Sequence, residues 1–447
     1  MRKLGFYIAI VFALVFSACS SGGGGSSSDG GTTNNTITGI TITAVDGYIK
    51  DATLKDASGQ VATYSGSGGK YTFSSTPTYP LTLTGGKYED TNASFDINMT
   101  CNSGTVISPI TTFLENNSTV LAKLANLALS GNPAALSDFS VDYIDTNNTD
   151  LAKLAQLLYV VLQDANLTKT LRSDMNVTSL TALYMHIESD INTTITDATR
   201  ANNMRVFIQK VRDINSSVSL VNYETTLKNF KEALSLPNIT WKGKTYGQVI
   251  SPFTGKVWLD RNLGASQVCT ALDDTECYGD YYQWGRGADG HEKRDSNTTS
   301  TQASDLNNTN TSFITSNNAD GWDWTTADGN GSLRAQEWSK TDGTSICPVG
   351  YRVPTIYELI AEIIDLNDSN KVNSNTDAFN NFLKLPSAGL RYSNNGSFID
   401  QGSVGYFWGI PVNGYPLPPY LGFGPSRAWW DEDGFRTDGE SVRCLRD

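Results

Sequence analysis

The sequence predicts a multidomain α+β protein, and three changes of pattern along its 447 residues predict this class. Residues 37–112 alternate apolar and polar side chains between glycine-rich turns, as half-buried strands do. Residues 113–237 place leucines at helical spacing. Residues 238–447 are dense in aromatic side chains. A run of strands followed by a run of helices indicates separate layers or domains. We therefore expect an N-terminal β-sandwich, a central helical segment and a distinct C-terminal module.

The first residues have the pattern of an export signal. Arg2 and Lys3 precede an apolar run over 4–16 that ends in small residues, which is typical of a cleaved signal peptide. The run is shorter than the about 20 apolar residues of a transmembrane helix. We therefore predict that residues 1–18 are a signal peptide that is removed from the mature protein.

The next segment predicts a lipid anchor. Ser17-Ala18-Cys19 resembles a bacterial lipobox, which implies diacylglycerol attachment to Cys19 and cleavage before it. An ordinary secretory signal with an incidental cysteine is the alternative. Residues 19–36 are rich in Gly, Ser, Thr and Asn and are predicted to form a flexible tether. No Asp follows the cysteine, so we expect a lipid-anchored protein of the cell envelope, at the outer membrane or cell surface.

The composition excludes several classes of function. The net charge of -13 argues against nucleic acid and anionic lipid as ligands. His186 and His291 are the two histidines, which argues against a His-based metal site or a catalytic site of several imidazoles. His291 follows Gly290 and is predicted to lie in an exposed loop. The sequence also lacks Gly-x-Ser-x-Gly, His-Glu-x-x-His and phosphate-loop motifs.

Residues 37–112 predict a small antiparallel β-sandwich. Short alternating runs are separated by glycine-rich punctuation at 65–69 and 85–86. The segments 46–54 (DGYIKDATL) and 69–73 (GKYTF) resemble the carboxypeptidase-regulatory-like modules of surface proteins. This resemblance implies a spacer or an adhesive stalk unit and no peptidase chemistry.

Residues 113–237 predict a helical region. The segments 121–127 (LAKLANL) and 151–157 (LAKLAQL) are near copies with leucine at i, i+3 and i+6, which predicts buried apolar stripes. Thr149 or Asp150 is the expected cap of the second copy. A coiled coil that binds a partner is the alternative, although no heptad run is sustained. Further helices are predicted near 178–191, 196–213 and 223–235.

The C-terminal module contains four landmarks in a fixed order. They are 257–264 (VWLDRNLG), 278–285 (YGDYYQWG), 347–355 (CPVGYRVPT) and 441–444 (SVRC). This order resembles the family called the Fibrobacter succinogenes major paralogous domain, over roughly 245–447. That family resembles the C-type-lectin-like and formylglycine-generating-enzyme folds. The resemblance implies a C-type-lectin-like α+β module over 238–447.

Six cysteines are typical of an oxidising compartment. Cys269 and Cys277 bracket a short acidic loop and are predicted to form a local disulfide. A bond between Cys347 and Cys444 would close a loop of about a hundred residues and stabilise the module by roughly 4–5 kcal/mol. It also matches the long disulfide that the lectin-like resemblance implies. This leaves Cys101 without a predicted disulfide partner. It is either buried and free, or the cysteines pair differently from this assignment.

One helix of the module is predicted to begin at Pro354-Thr355. Thr355 is the expected N-cap and Glu358 its capping-box partner. The segment 352–359 (RVPTIYEL) also resembles the Arg-Leu-Pro-Thr-x-x-Glu-Trp signature of formylglycine-generating enzymes. That oxidase resemblance requires two reactive cysteines late in the chain to carry copper, and Cys444 is already assigned to Cys347. We therefore predict a non-enzymatic protein without catalytic residues, and keep such an oxidase as an alternative.

Asparagine sequons predict glycosylation. Seventeen Asn-x-Ser/Thr triplets occur, and twelve also carry an acid two residues before the Asn, where chance predicts roughly two from 46 acids in 447 residues. This excess resembles the extended acceptor sequon of bacterial oligosaccharyltransferases. Clustering of Asp, Asn and Thr in turns is the alternative. The twelve are Asn92, Asn98, Asn117, Asn147, Asn166, Asn176, Asn192, Asn215, Asn297, Asn307, Asn330 and Asn367.

Aromatic side chains of the C-terminal module predict a ligand site. Flat rings stack on sugars, although aromatic residues also fill cores. Trp429 and Trp430 are the best candidates, with Asp431 and Asp433 as hydroxyl-binding groups, because adjacent residues of an extended segment face opposite sides. We therefore expect a surface protein that binds a glycan or another surface protein. A structural envelope glycoprotein without a specific ligand is the alternative.

Calcium is a weaker expectation. An oxygen-rich loop begins like an EF-hand but has Leu333 at its sixth position and Ser339 at its twelfth, where Gly and Glu are required. The calcium-lectin triplets Glu-Pro-Asn and Gln-Pro-Asp are also missing. No other cofactor is expected. The candidate calcium ligands are Asp320, Asp323, Asp328 and Asn330.

Overall fold

The computed structural model describes residues 39–115, 117–129, 139–214, 220, 223–307, 310–316, 321–364, 372–412 and 417–447. Several predictions lie outside these residues. They are the signal peptide 1–18, the lipid site Cys19, the tether 19–36, the sequons at Asn215 and Asn367, and the calcium candidate Asp320.

The described residues form a mixed α+β structure, as the sequence predicts. They contain ten α-helices and eight small sheets, each of two to four strands. Among the described helices, none combines the length and the apolar character that crossing a bilayer requires.

Nine short strands precede the first helix. They are β1 (Ile40–Ala44), β2 (Ile49–Lys50), β3 (Thr53–Lys55), β4 (Thr63–Tyr64), β5 (Lys70–Phe73), β6 (Leu81–Thr84), β7 (Lys87–Tyr88), β8 (Met99–Cys101) and β9 (Val106–Ile107). They build the sheets β4-β5-β1-β9, β3-β6-β8 and β2-β7. Alternate side chains such as Tyr71 and Phe73 are buried, because successive strand residues face opposite sides. One feature differs from the antiparallel prediction: β9 pairs with β1 in parallel.

Seven α-helices follow among the residues that the structure describes up to 234. They are α1 (Pro109–Leu114), α2 (Ser118–Ala125), α3 (Thr149–Leu162), α4 (Ala165–Asp174), α5 (Leu180–Thr194), α6 (Ala198–Asp213) and α7 (Tyr223–Leu234). The two leucine repeats lie in α2 and α3, as expected. The cap of α3 is Asn148, whose side chain accepts from the Leu151 N–H. The prediction of Thr149 or Asp150 as the cap was wrong, because both are already helical.

The strands β1–β9 and the helices α1–α7 share one hydrophobic core. A buried polar network also joins the two sets of elements. Lys231 on α7 donates to Asp46, after β1, at 2.9 Å and pairs with Glu224 at 2.7 Å. Gln156 on α3 donates to Asp46 at 2.6 Å. Burial raises the pKa of Glu224 to about 8, against the opposing effect of Lys231.

The described residues from 239 onward form short strands and three α-helices. The strands are β10 (Ile239–Trp241), β11 (Lys244–Tyr246), β12 (Gln248–Ile250), β13 (Val257–Leu259), β14 (Tyr282–Gln283), β15 (Thr298–Thr299), β16 (Phe313–Ile314), β17 (Tyr351–Arg352), β18 (Leu390–Arg391), β19 (Phe398–Ile399), β20 (Gly405–Trp408), β21 (Tyr420–Gly424), β22 (Arg427–Asp431), β23 (Gly439–Glu440) and β24 (Leu445–Arg446). The helices are α8 (Ser332–Trp338), α9 (Ile356–Ile363) and α10 (Asn375–Asn380).

Two disulfides fasten this part of the chain. Cys269 is bonded to Cys277, and Cys347 is bonded to Cys444. Both pairings match the sequence prediction. Cys101 is buried and free, and its thiol donates to the Ser103 carbonyl at 2.7 Å.

The start of α9 forms the predicted capping box. The Thr355 hydroxyl accepts from the Glu358 N–H, and the Glu358 carboxylate accepts from the Thr355 N–H. Arg352 donates to both oxygens of Glu358 at 2.8 Å. The segment that resembles an oxidase signature therefore has a structural role, which is to hold the first turn of α9 against β17.

Candidate functional site

The candidate site is built on the antiparallel sheet β20-β21-β22. A two-residue turn, 425–426, joins β21 to β22 and fixes their register. Gly422 is opposite Trp429, and Tyr420 is opposite Asp431. On the other side of β21, Tyr406 is opposite Gly422. Because directly paired residues share a face, these side chains belong to one side of the sheet.

The other side of the sheet packs on the protein core. Phe407, Leu421 and Phe423 are fully buried in the cluster that includes the apolar side chains of α9. Trp430 lies at the rim of this side, 41% exposed, with its ring 6.1 Å from that of Tyr357. Trp429 and Trp430 lie on opposite sides of the sheet, as expected for adjacent residues of a strand, so they do not share one surface.

The side that carries Tyr406 is buried at one end, where Trp408, opposite Tyr420, lies in a second apolar cluster. The rest of this side carries three half-buried aromatic rings, which we call the aromatic face: Tyr406, Tyr420 and Trp429. The Tyr406 ring lies 6.1 Å from Tyr420 and 6.2 Å from Trp429. Trp429 lies directly over Gly422, where an added Cβ would approach the indole to 2.4 Å. Glycine at this position therefore allows the indole to lie across the sheet.

Charged groups border the aromatic face. The Arg427 guanidinium lies 5.0 Å from the centre of the Trp429 ring. Asp431 and Asp433 are exposed beyond Trp429, and burial together with the charge of Asp431 raises the pKa of Asp433. The Tyr406 hydroxyl donates to Asp400 at 3.2 Å. The rim thus offers carboxylate acceptors and one guanidinium donor.

Glu440 lies on the same side of the sheet beneath the tyrosines. Ser441 pairs with Phe407 on the core side, so its neighbour Glu440 faces the side of Tyr406. Glu440 is buried, and one carboxylate oxygen has no hydrogen-bond partner among the described residues. Burial, with a smaller effect of Asp438, holds its pKa well above the usual range.

A separate cleft of 580 Å³ lies beside α8. Its polar lining includes Lys242, Asp289, Arg334, Glu337, Lys340 and Ser345. Its lining includes no aromatic ring among the described residues. The nearby indoles of Trp284 and Trp338 are buried in the core. A ligand that requires ring stacking therefore fits the aromatic face better than this cleft.

The two described carboxylates among the calcium candidates, Asp323 and Asp328, are paired with arginines. Asp323 accepts from Arg334 and Arg436, both at 2.7 Å. Asp328 accepts from the Arg334 backbone N–H at 3.0 Å. The Asn330 side-chain oxygen accepts from Ser332. The protein's own cations and donors occupy these oxygens, so the geometry of this loop does not favour calcium.

His291 is fully buried, and its prediction as an exposed loop residue was wrong. Its Nε2 accepts from the Gln283 N–H at 3.0 Å, which leaves the proton on Nδ1 for a 2.7 Å bond to Asp289. Burial lowers the pKa of His291 to about 4. Since both ring nitrogens are used inside the protein, His291 is a neutral structural residue.

The ten described sequon asparagines are all exposed. Two of them lie within helices. Asn166 lies in the first turn of α4, because Asp164 is the N-cap of that helix. Asn192 lies in the last turn of α5. Asn176 lies in the connection between α4 and α5.

The sequence did not predict every residue of the aromatic face or the buried acid beside it. Trp429 and Tyr406 each have aromatic neighbours in the sequence, which mark them as candidates. Tyr420 and Glu440 have no such neighbours. The sequence did contain a signal for this surface. Two alternating segments flank a two-residue turn, with Tyr420, Gly422 and Gly424 before it and Arg427, Trp429 and Asp431 after it. This pattern predicts a hairpin with one tryptophan over a glycine.

Comparison of the chain with protein-family models, with curated proteins and with solved structures finds no match.

Proposed function

We propose that this protein is a lipid-anchored surface protein of the cell envelope that binds carbohydrate through its aromatic face. The observation that supports this proposal is the cluster of Tyr406, Tyr420 and Trp429 on one side of one sheet. Half-buried rings are held in place by their neighbours and remain in part accessible to a ligand. Sugar rings present flat C–H faces to such surfaces.

The rim of the aromatic face supports the same ligand class. Asp431 and Asp433 supply acceptors for sugar hydroxyls, and Arg427 supplies donors. Few polar groups beside an apolar surface are typical of sites that orient a small ligand. The net charge of -13 disfavours a polyanionic ligand. We therefore favour a neutral glycan over an acidic one.

The wider architecture remains part of this proposal. It comprises a carboxypeptidase-regulatory-like β-sandwich over 37–112, a helical spacer over 113–237 and a lectin-like major paralogous domain over 238–447. A flexible tether would separate these parts from the membrane. We expect no catalytic activity, because Cys444, the cysteine that an oxidase of the formylglycine-generating type would need, is bonded to Cys347.

A structural envelope glycoprotein is the second candidate. Exposure of all ten described sequon asparagines favours it, because a glycan requires an accessible amide. This role is compatible with carbohydrate binding, and it would be the main role if the aromatic face had no ligand.

The test is glycan and cell-surface binding by the purified full chain, with calcium and with chelator. We expect saturable, calcium-independent binding that Trp429→Ala reduces at least tenfold, since stacking contributes on the order of 1–2 kcal/mol. The matched control is Trp430→Ala, which removes the adjacent indole from the opposite side of the sheet and should leave affinity within twofold. Equal losses in the two variants, or no binding by the unaltered chain, would refute a ligand site at the aromatic face.

A further inference from the structure

Helices α4 and α5 bring three potential metal ligands together outside the C-terminal module. Asp174 is the last residue of α4, and His186 and Asp190 lie one turn apart on α5. The His186 Nε2 atom is 3.1 Å from Asp174 Oδ1 and 3.7 Å from Asp190 Oδ2. Residues at i and i+4 project from the same face of a helix, so His186 and Asp190 converge on Asp174.

Asp190 provides an independent indication of a ligand. It is only 7% exposed, and its Oδ2 is buried without a hydrogen-bond partner among the described residues. A buried carboxylate oxygen without a partner is strongly unfavourable. The oxygen is directed toward His186 Nε2 but lies beyond hydrogen-bond distance. A cation between the three side chains would satisfy it.

The spacing of the ligand atoms suits a small dication. Zinc bonds of about 2.0–2.1 Å in a tetrahedron place ligand atoms about 3.4 Å apart. The observed distances of 3.1 and 3.7 Å lie on either side of this value. Asp174 is exposed and His186 is partly exposed, so an ion can enter and a water molecule can complete its coordination.

The other group of His and acidic residues lacks this capacity. Asp289, His291 and Glu292 also lie close together. There, however, each ring nitrogen already has a protein partner, Gln283 for Nε2 and Asp289 for Nδ1. At His186, Nε2 also has a partner, Asp174 at 3.1 Å, but it faces in addition the unpartnered Oδ2 of Asp190 at 3.7 Å. The difference in hydrogen bonding favours the α4–α5 cluster as a metal site.

We propose that Asp174, His186 and Asp190 bind one divalent transition metal ion, with zinc as the preferred ion. One imidazole and two carboxylates suit zinc better than calcium or magnesium, which favour sets made of oxygen alone. The ion would join the end of α4 to the middle of α5. Its role is structural, because it closes the connection 175–179 and neutralises two carboxylates.

The experiment uses the full chain without a polyhistidine tag, stripped with chelator and titrated with ZnCl2. We expect one equivalent to bind and the unfolding temperature to rise by several degrees at about a hundredfold excess over Kd. His186→Gln and Asp190→Asn should each weaken binding at least tenfold. Cobalt(II) should give visible absorption without a thiolate charge-transfer band, which excludes Cys101 as the ligand.

The matched control is Glu188→Gln, which removes a negative charge from the same helix outside the cluster and should bind zinc like the unaltered chain. Circular dichroism before titration verifies that each variant is folded. No zinc uptake by the unaltered chain would overturn the proposal and leave a His186–Asp174 ion pair. Undiminished uptake by both His186→Gln and Asp190→Asn would overturn it equally.

Discussion

His291 stabilises the loop beside β14 as a neutral imidazole. Its folded pKa of about 4 lies below the ordinary value of about 6.5, so the unfolded chain binds a proton more readily. This contribution to stability is complete above about pH 6.5 and decreases as the pH falls toward 4. We expect the unaltered protein to lose about 2 kcal/mol more than His291→Gln between pH 7 and pH 5, measured by urea unfolding. Carboxyl groups such as Asp438 titrate in both proteins, so their effect cancels in the comparison. If the stability of the two proteins had the same pH dependence, His291 would not be a neutral buried imidazole.

At the scale of the element, α9 depends on the ion pair at its first turn. Burial raises the pKa of Glu358, but bonds from Arg352 and the Thr355 N–H dominate and hold it at about 2. Because the folded pKa is lowered, this stabilisation is present above about pH 4.5 and lost as the pH falls toward 2. Glu358→Gln should therefore destabilise the protein by about 1–3 kcal/mol at pH 7 and by clearly less at pH 3.

The control for this prediction is Glu337→Gln on α8. Glu337 forms an exposed pair with Lys340, and such pairs contribute about 0–1 kcal/mol. Chemical unfolding at the two pH values measures both variants. A loss in Glu358→Gln no larger than that in Glu337→Gln would show that the capping box is dispensable.

At the scale of the whole molecule, the sequons predict a glycosylated surface that extends over both halves of the chain. We expect intact mass spectrometry of protein from the native cell to show several glycans, each removed by Asn→Gln at its site. Replacing Asp145, which precedes Asn147 by two residues and is exposed, by alanine should abolish occupancy at Asn147. The control is Asn395, an Asn-x-Ser site without such an acid, which should be unoccupied. Unmodified protein would eliminate the glycoprotein proposal.

The sequence predicted mainly the features that depend on neighbours along the chain. The capping box at Thr355 spans three residues, and the disulfide at Cys269 spans eight. The disulfide between Cys347 and Cys444, which are 97 positions apart, was also predicted, with support from the resemblance to lectin-like folds. Other features that join distant segments were missed. The parallel pairing of β1 with β9 and the contact of Asp46 with Lys231 depend on tertiary packing. The three rings of the aromatic face likewise lie on three different strands, next to a buried acid. The sequence pattern indicated only the tryptophan.

The position of β24 has a kinetic consequence. This strand lies between β13 and β17, and Leu445 pairs with Trp258, almost two hundred positions earlier. Closing so long a loop must precede the gain from pairing, which slows folding. During synthesis, β13 therefore cannot pair with β24 until nearly the whole module has been made. Until then it presents an open strand edge that can pair with another chain, so this interval is when the protein is most prone to aggregate.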